Sequence, residues 1–180
     1  MTVHVSKPEF NIRSKLNEIG GKVSYENMPS GSVIQYVQAS HTRMTNRFTT
    51  ASTSYQATNY DLTISPRLFN SKILIYANLS SHANSDQYVY VRVYNVTAGR
   101  YVNHDRGVFN DGMYESAAGG DSQWMMLPVE AVDVPESTSP QTYRLYIRSS
   151  GNGGTAYAGW SGSAPNTNNM NFMSATEYKE

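Results

Sequence analysis

The chain has 180 residues, with 14 Lys and Arg, 14 Asp and Glu, and a formal net charge of zero. A single domain is the expectation for this length. The balanced charge argues against nucleic acid as a partner, which requires a basic surface, and against a polybasic contact with a membrane. Only 16% of the residues are charged, whereas tyrosine occurs 14 times. Such an uncharged, aromatic and hydrogen-bonding surface suits contact with proteins or glycans.

Cysteine is absent, which excludes disulfides, cysteine-ligated zinc and thiol nucleophiles. No apolar run approaches the roughly 18 residues of a transmembrane helix. The opening MTVHVSKPEF lacks the apolar core of a signal peptide. We therefore expect a soluble protein made in a cytoplasm, with no insertion into a membrane. Its stability must come from packing, sheet hydrogen bonds or self-association.

The first 28 residues differ in pattern from the rest and predict a short helix within SKPEFNIRSKLNEIGGK. Ser6 is a candidate N-cap with Glu9 three positions later, and Gly20 and Gly21 supply a stop signal. The candidate contact residues are Phe10, Ile12, Leu16 and Ile19, of which the last three form one narrow stripe at i, i+4 and i+7. An isolated helix of about 13 residues is marginal in water. The stripe must therefore pack either on its own domain or in a partner, as an anchor; a disordered segment is the remaining alternative.

From Pro29 onward the apolar pattern has period two, which is typical of β-strands. The predicted strands lie at Val33–Val37, Tyr55–Ile64, Lys72–Leu79, Gln87–Thr97, Trp124–Val129, Thr142–Ser150 and Asn171–Glu177. Turn-rich stretches such as SAAGGDS and SSGNGG separate them, and no crossover helix lies between them. The sequence predicts an all-β fold, an antiparallel sandwich or jelly roll over residues 29–180, preceded by a helical or extended segment over residues 1–28.

Two of these strands place tyrosine and arginine on the face opposite their apolar residues. The residues are Tyr88, Tyr90, Arg92 and Tyr94 in one strand and Arg144, Tyr146 and Arg148 in the other. Tyrosine and arginine are enriched at protein interfaces, so we favour a subunit contact. Plain cross-strand pairing and ligand recognition are the alternatives.

No enzyme, metal site or cofactor is expected. The four histidines lack metal-binding spacing, and neither a G-x-S-x-G elbow nor a phosphate-binding loop occurs. The oxygen-rich NHDRGVFNDG at 103–112 lacks the spacing of a calcium loop and suits turns better. The sequons at Asn78 and Asn95 lie in predicted strands and are discounted as glycosylation sites.

Aromatic residues in predicted loops are the candidates for glycan contact. Tyr157 and Trp160 lie in a Gly-rich stretch, and Trp124 follows GGDSQ. Aromatic rings stack on the apolar faces of sugars while polar neighbours bind the hydroxyls. A position in the core or in an interface is the favoured interpretation for both tryptophans.

The order of several motifs resembles a module of bacteriophage virion proteins. The motifs are PSGSVIQYVQA, TTASTSYQATNYDLTISPRLFNSKILI, VPESTSPQTYRLYIRSS and NNMNFMSATEYKE, the last departing mildly from the module's usual Met-Glu-like end. This resemblance covers about residues 30–180. The stretch HVSKPEFNIRSKLNEI also resembles the start of structural proteins in short-tailed phages of aquatic bacteria, of the cyanophage kind.

The resemblance implies a fibre, decoration or spike protein, typically a homotrimer attached by its N-terminus, with no catalysis. The short stretch between Gly20 and Ser30 leaves no room for a long shaft. We therefore expect a head fibre or capsid decoration protein on the virion surface, made in the cytoplasm of a bacterial host. Residues 1–28 would bind another virion protein in the capsid or neck, and residues 29–180 would form the trimeric head. The alternative is a tail-fibre or tailspike tip that recognises a host surface glycan.

Overall fold

The computed structural model describes residues 24–41, 48–83, 88–102, 112–115, 125–150, 154–159 and 171–180. The predicted N-terminal helix and its contact candidates Phe10, Ile12, Leu16 and Ile19 lie outside these ranges. A 3₁₀ turn at Tyr25–Asn27 precedes the first strand. The strands in the described ranges, β1 to β11, are Val33–His41, Phe48–Thr50, Gln56–Ile64, Lys72–Ala83, Tyr88–Asn95, Arg100–Tyr101, Gly112–Glu115, Met125–Asp133, Gln141–Ser149, Ala156–Ala158 and Asn171–Tyr178.

Sheet A contains six strands that lie in four rows. β11 lies between β1 and β4 and pairs antiparallel with both. β10 lies between β2 and β4 and also pairs antiparallel with both. β10 and β2 therefore continue the rows of β11 and β1. β8 pairs along the remaining side of β4, from Ile73 opposite Asp133 to Ser81 opposite Met125. Across the sheet the rows run β8, β4, β11 with β10, and β1 with β2.

Sheet B contains five strands, again in four rows. β9 lies between β3 and β5, and all three are antiparallel. The other side of β5 pairs with β6 at Tyr94 and with β7 from Tyr88 to Val91. β6 and β7 therefore share one row, and the order across the sheet is β3, β9, β5, and β6 with β7.

The order of the eight rows identifies a jelly roll. Counted along the chain, sheet A has the order first, eighth, third and sixth, and sheet B has the order second, seventh, fourth and fifth. Each row thus pairs antiparallel with its counterpart from the other end of the chain, as in one long hairpin rolled into two sheets. This double Greek key is the jelly-roll topology. The prediction of an all-β antiparallel sandwich or jelly roll is confirmed.

The core lies between the two sheets and follows the predicted alternation. Its fully buried side chains include Val89, Val91 and Val93 of β5, Leu145 and Ile147 of β9, and Ile73, Ile75 and Leu79 of β4. Burial of each such side chain stabilises the fold by roughly 1.5–3 kcal/mol. The sequence did not predict the short strands β2, β6, β7 and β10, because two to four residues show no measurable period.

A buried polar network joins the two sheets at the end of β8. The Oδ2 atom of Asp133 accepts hydrogen bonds from Asn95 Nδ2 at 2.9 Å and from the Tyr143 hydroxyl at 3.0 Å. Its Oδ1 atom lies 2.5 Å from an Arg100 nitrogen, and Asn95 also donates to Gln141 Oε1 at 3.1 Å. Burial and the neighbouring carboxylate raise the pKa of Tyr143. Asn95 is thus committed to the interior, which agrees with discounting its sequon.

A second buried carboxylate ties the loop after β3 to the last strand. Glu177 is fully buried, and its Oε1 atom accepts hydrogen bonds from the backbone N–H groups of Arg67 at 2.8 Å and Leu68 at 3.0 Å. Its Oε2 atom accepts from Gln35 Nε2 at 2.6 Å. The carboxylate therefore holds β1, β11 and this loop together.

The residues before β1 are fixed to the last strand. The ammonium group of Lys179 donates to the carbonyl oxygens of Glu26 and Met28, and its backbone exchanges hydrogen bonds with Gly31 and Ser32. Gly31 has a φ of 83°, a value that favours glycine in the turn that begins β1. The last residues of the predicted attachment segment thus lie against the sandwich.

We expect Asp133→Ala to lower the free energy of unfolding by about 3 kcal/mol, since it removes the acceptor of the buried Tyr143 hydroxyl and one of the two acceptors of Asn95. The matched control is Glu130→Ala, which removes the same charge from the outer side of the same strand and changes the free energy by less than about 0.5 kcal/mol. Urea titrations of both variants measure the difference. Equal losses would show that the network does not join the sheets.

Candidate functional site

The outer surface of sheet B carries an alternating pattern of tyrosine and arginine. Since the valines of β5 and the leucine and isoleucine of β9 point into the core, their neighbours point outward. The register sets Tyr opposite Arg three times, in the pairs Tyr90 with Arg148, Arg92 with Tyr146, and Tyr94 with Arg144. We call this surface the tyrosine–arginine face; its members are Tyr55, Tyr88, Tyr90, Arg92, Tyr94, Tyr101, Arg144, Tyr146 and Arg148.

The tyrosine rings on this face contact one another across three strands. The Tyr94 ring centroid lies 4.7 Å from that of Tyr146 on β9 and 4.9 Å from that of Tyr101 on β6. Tyr55, just before β3, reaches the Tyr101 ring at 5.7 Å. Such aromatic pairs add about 0.5–1.5 kcal/mol beyond the burial of their area. The rings therefore form a continuous and ordered layer.

The arginines lie within this layer and are held by it. The Arg148 guanidinium carbon is 3.8 Å from the Tyr90 ring centroid, and that of Arg92 is 4.9 Å from the Tyr55 ring centroid. Both are cation–π contacts. Arg144 instead makes a bidentate ion pair with Asp61 on β3, with two N–O distances of 2.6 Å. Each guanidinium is thus oriented before any partner binds.

The face carries an excess of positive charge. Three arginines stand against two acidic residues, Asp61 and Glu115 opposite Tyr88 in the register of β7, which gives 3 − 2 = +1. Burial, followed by the neighbouring phenols of Tyr146 and Tyr94, raises the pKa of Tyr101, and Arg92 offsets part of that shift. Within the described ranges, no group of three or more His, Asp or Glu residues is arranged to hold a metal ion. The chemistry of the face is therefore aromatic and cationic.

The structure brings together all seven residues that the sequence assigned to a subunit interface. Cross-strand pairing, the alternative to a subunit contact, is present, while the subunit contact itself stays a prediction. The sequence reasoning missed Tyr55, Tyr101 and Asp61. Tyr101 lies in a two-residue strand, and Tyr55 precedes its strand, so neither lies in an alternating run that would have marked it.

The glycan candidates do not lie on this face. Tyr157 was predicted in a loop, but it lies in β10, opposite Thr49 of β2 and His82 of β4. The prediction of a loop position is wrong because the small, buried Ala156 and Ala158 allow this short stretch to join sheet A with Tyr157 outward. The other two candidates for glycan contact, Trp160 and Trp124, lie outside the described residues.

Comparisons with known proteins give structural similarity only. No protein-family model matches the chain, and no curated protein sequence matches it. Solved structures of infectious bursal disease virus are similar in fold. The VP2 subviral particle gives a TM-score of 0.43 at 14% identity over 83% of this chain, and the Gt strain gives 0.43 at 13% identity over 83%. The T13 viral particle gives 0.41 at 14% identity over 82%.

This chain spans 36–39% of the length of those three proteins. The jelly-roll assignment rests on the strand order of the chain itself. In the part of the chain that the structure describes, no helix is long and apolar enough to cross a membrane.

We expect Tyr101→Phe to change how stability depends on alkaline pH. Below about pH 10 the phenol is protonated in the folded and unfolded chains alike. Above it the unfolded chain releases the proton first, because the folded pKa is raised, and the folded state loses stability as the pH rises. Above pH 10 the free energy of unfolding should fall less steeply with pH in the variant than in the wild type. From pH 7 to 9 the difference in this free energy between the two proteins should stay constant. Urea titrations across this range test it; parallel curves above pH 10 would contradict it.

Proposed function

We propose that the chain is a structural protein of a bacteriophage particle, a short homotrimeric head fibre or capsid decoration protein that displays its jelly roll on the virion surface. The observation that supports the proposal best is the tyrosine–arginine face. It is broad, ordered and composed of two residue types that carry much of the binding energy at protein interfaces. The motif resemblance over residues 30–180 supplies the virion context.

Preorganisation makes this face suited to association. Ordering a free arginine or tyrosine on binding costs about 0.5–1.5 kcal/mol for each side chain. Here Arg148 is already stacked on Tyr90 and Arg144 is already paired with Asp61. A partner therefore binds a surface whose side chains are ordered in the free chain.

The charge of the face favours a ring over a two-fold dimer. In a two-fold contact the same patch meets itself, so the excess of +1 would face a second excess of +1. In a cyclic trimer each face meets a different surface of the next subunit, and this repulsion is avoided. The charge excess thus supports a heterologous, closed assembly.

The proposed attachment segment is residues 1–28, with another virion protein as partner. Because Lys179 holds the carbonyls of Glu26 and Met28, the part available to a partner ends near residue 23. The proposal includes no reaction, metal, cofactor, nucleic acid or membrane insertion, and it places synthesis in a bacterial cytoplasm.

The alternative is a tail-fibre or tailspike tip that binds host glycan through Tyr157 and Trp160. The outward position of Tyr157 on sheet A supports it. A glycan array with purified protein discriminates between the two. Saccharide binding that Trp160→Ala abolishes would favour the tip over the decoration protein.

We expect Arg92→Glu to convert the trimer to monomers, because it places a carboxylate within the aromatic layer and reverses a charge at the proposed contact. Arg67→Glu makes the same substitution at an exposed position of the loop after β3 and should leave the trimer intact. Sedimentation velocity measures the mass, and circular dichroism confirms that both variants fold. A monomeric wild type, or a trimeric Arg92→Glu variant, would refute the proposed interface.

Deletion of residues 1–23 should leave a folded trimer that no longer incorporates into particles. This deletion retains Ser24 and the 3₁₀ turn that Lys179 holds, so the fold keeps its contacts before β1. Purified particles assembled with the truncated and full chains are compared by gel densitometry. Normal incorporation of the truncated chain would rule out the attachment role.

A further inference from the structure

The outer surface of sheet A differs in chemistry from the tyrosine–arginine face. Residues in register across its four rows include Val132, Leu74, Thr176 and Tyr36, in that order from β8 to β1. A second contact joins Tyr76 and Phe172, whose ring centroids lie 5.7 Å apart. We call this surface the sheet A face; its large apolar members are Tyr36, Leu74, Tyr76, Met126, Val132 and Phe172.

The sheet A face exposes large apolar side chains and carries little charge. Tyr36 is 55% exposed, Met126 is 41% exposed and Val132 is 38% exposed. Its charged side chains in the described rows are Glu130 and Lys72, and Lys72 is paired with Glu180 at 2.5 Å. Several exposed large apolar side chains on one surface are typical of a site that another element covers.

We propose that the apolar stripe of the N-terminal segment, at Ile12, Leu16 and Ile19, packs on the sheet A face of its own chain before the protein assembles. The segment enters the described structure at Ser24, and the 3₁₀ turn that follows is held by Lys179 at the end of β11. That end of sheet A also carries Val33, which is 55% exposed. The segment therefore enters beside the face that needs a cover.

The dimensions of the segment and the face agree. A helix of about 13 residues is roughly 20 Å long, and the outer two of four neighbouring strand rows are about 14 Å apart. The linker at residues 20–23 spans up to about 14 Å when extended. The predicted helix thus reaches across the rows without displacing the turn at Tyr25–Asn27.

Both partners gain from this contact. A helix of this length is marginal on its own, and a stripe of three aliphatic side chains stabilises it only when buried. The stripe matches the sheet A face in polarity, whereas the cationic tyrosine–arginine face offers it no aliphatic surface. The inference rests on the proposed function only in that the same stripe later serves attachment. Docking would keep the stripe buried against the sheet A face until a virion protein binds the stripe in its place.

The test uses the absence of cysteine from the chain. Lys15→Cys lies beside the predicted stripe and leaves it intact, and Thr176→Cys lies at the centre of the sheet A face. A short bis-maleimide reagent should join the two within one chain of the purified full-length protein. The matched control pairs Lys15→Cys with Thr63→Cys, an exposed position near the same end of the sandwich on sheet B. We expect about tenfold less cross-linking in the control.

A second comparison tests whether the stripe drives the contact. In the Lys15→Cys, Thr176→Cys background, Ile12→Asp should lower the intramolecular yield about tenfold, because it places a charge in the apolar contact. Asn11→Asp adds the same charge beside the stripe and should leave the yield unchanged.

Equal cross-linking yields from Lys15→Cys to Thr176→Cys and to Thr63→Cys would overturn the inference. Cross-links between chains instead of within one chain would also overturn it, and denaturing gels separate the two products by mass. Loss of particle incorporation on deletion of residues 1–23, without the cross-link, would refute the docking and leave the attachment role standing.

Discussion

The rest of the molecule depends on the strict alternation of side chains along β5 and β9. In both strands every second residue is buried, with Val89, Val91 and Val93 in β5 and Tyr143, Leu145 and Ile147 in β9. The residues between these are tyrosine or arginine. A shift of one residue in either strand would move Arg92 or Arg144 into the core and Val91 or Leu145 out of it. The register that completes the core therefore also assembles the tyrosine–arginine face. The two cannot be separated by a local change in either strand.

Three residues in register across sheet A close one end of the core, the end at which the described chain begins and ends. Ile73 lies between Asp133 and Glu177, and all three side chains point inward. Asp133 bonds to side chains of sheet B, whereas Glu177 bonds to backbone N–H groups of the loop after β3. Buried carboxylates persist only where such donors satisfy them. These three residues thus join the two sheets and the loop at the end of the sandwich where the described chain begins.

The sequence predicted the features that depend on local periodicity and missed those that depend on contact between distant segments. The long strands and their inward valines, isoleucines and leucines were predicted because the alternation of apolar and polar residues continues over eight or more residues in each strand. The partners Asn95 and Asp133 are 38 positions apart, and no local pattern links them. The same limit explains why Tyr55, Tyr101 and Asp61 were missed beside the predicted tyrosines and arginines. Tyr157 was assigned to a loop because three residues of strand among glycines show no period.

The core and the tyrosine–arginine face are both completed within one chain. The inward-facing hydrophobic residues of both sheets are buried within one chain, and the tyrosine–arginine face orders its own rings and guanidinium groups. A subunit interface that resembled a core cut in half would instead leave large aliphatic residues exposed until association. The tyrosine–arginine face is not of that kind, whereas the sheet A face leaves Met126 and Val132 exposed. The two broad surfaces therefore differ in chemistry. The sheet A face leaves apolar side chains in water, whereas the tyrosine–arginine face orders its side chains through contacts within the chain.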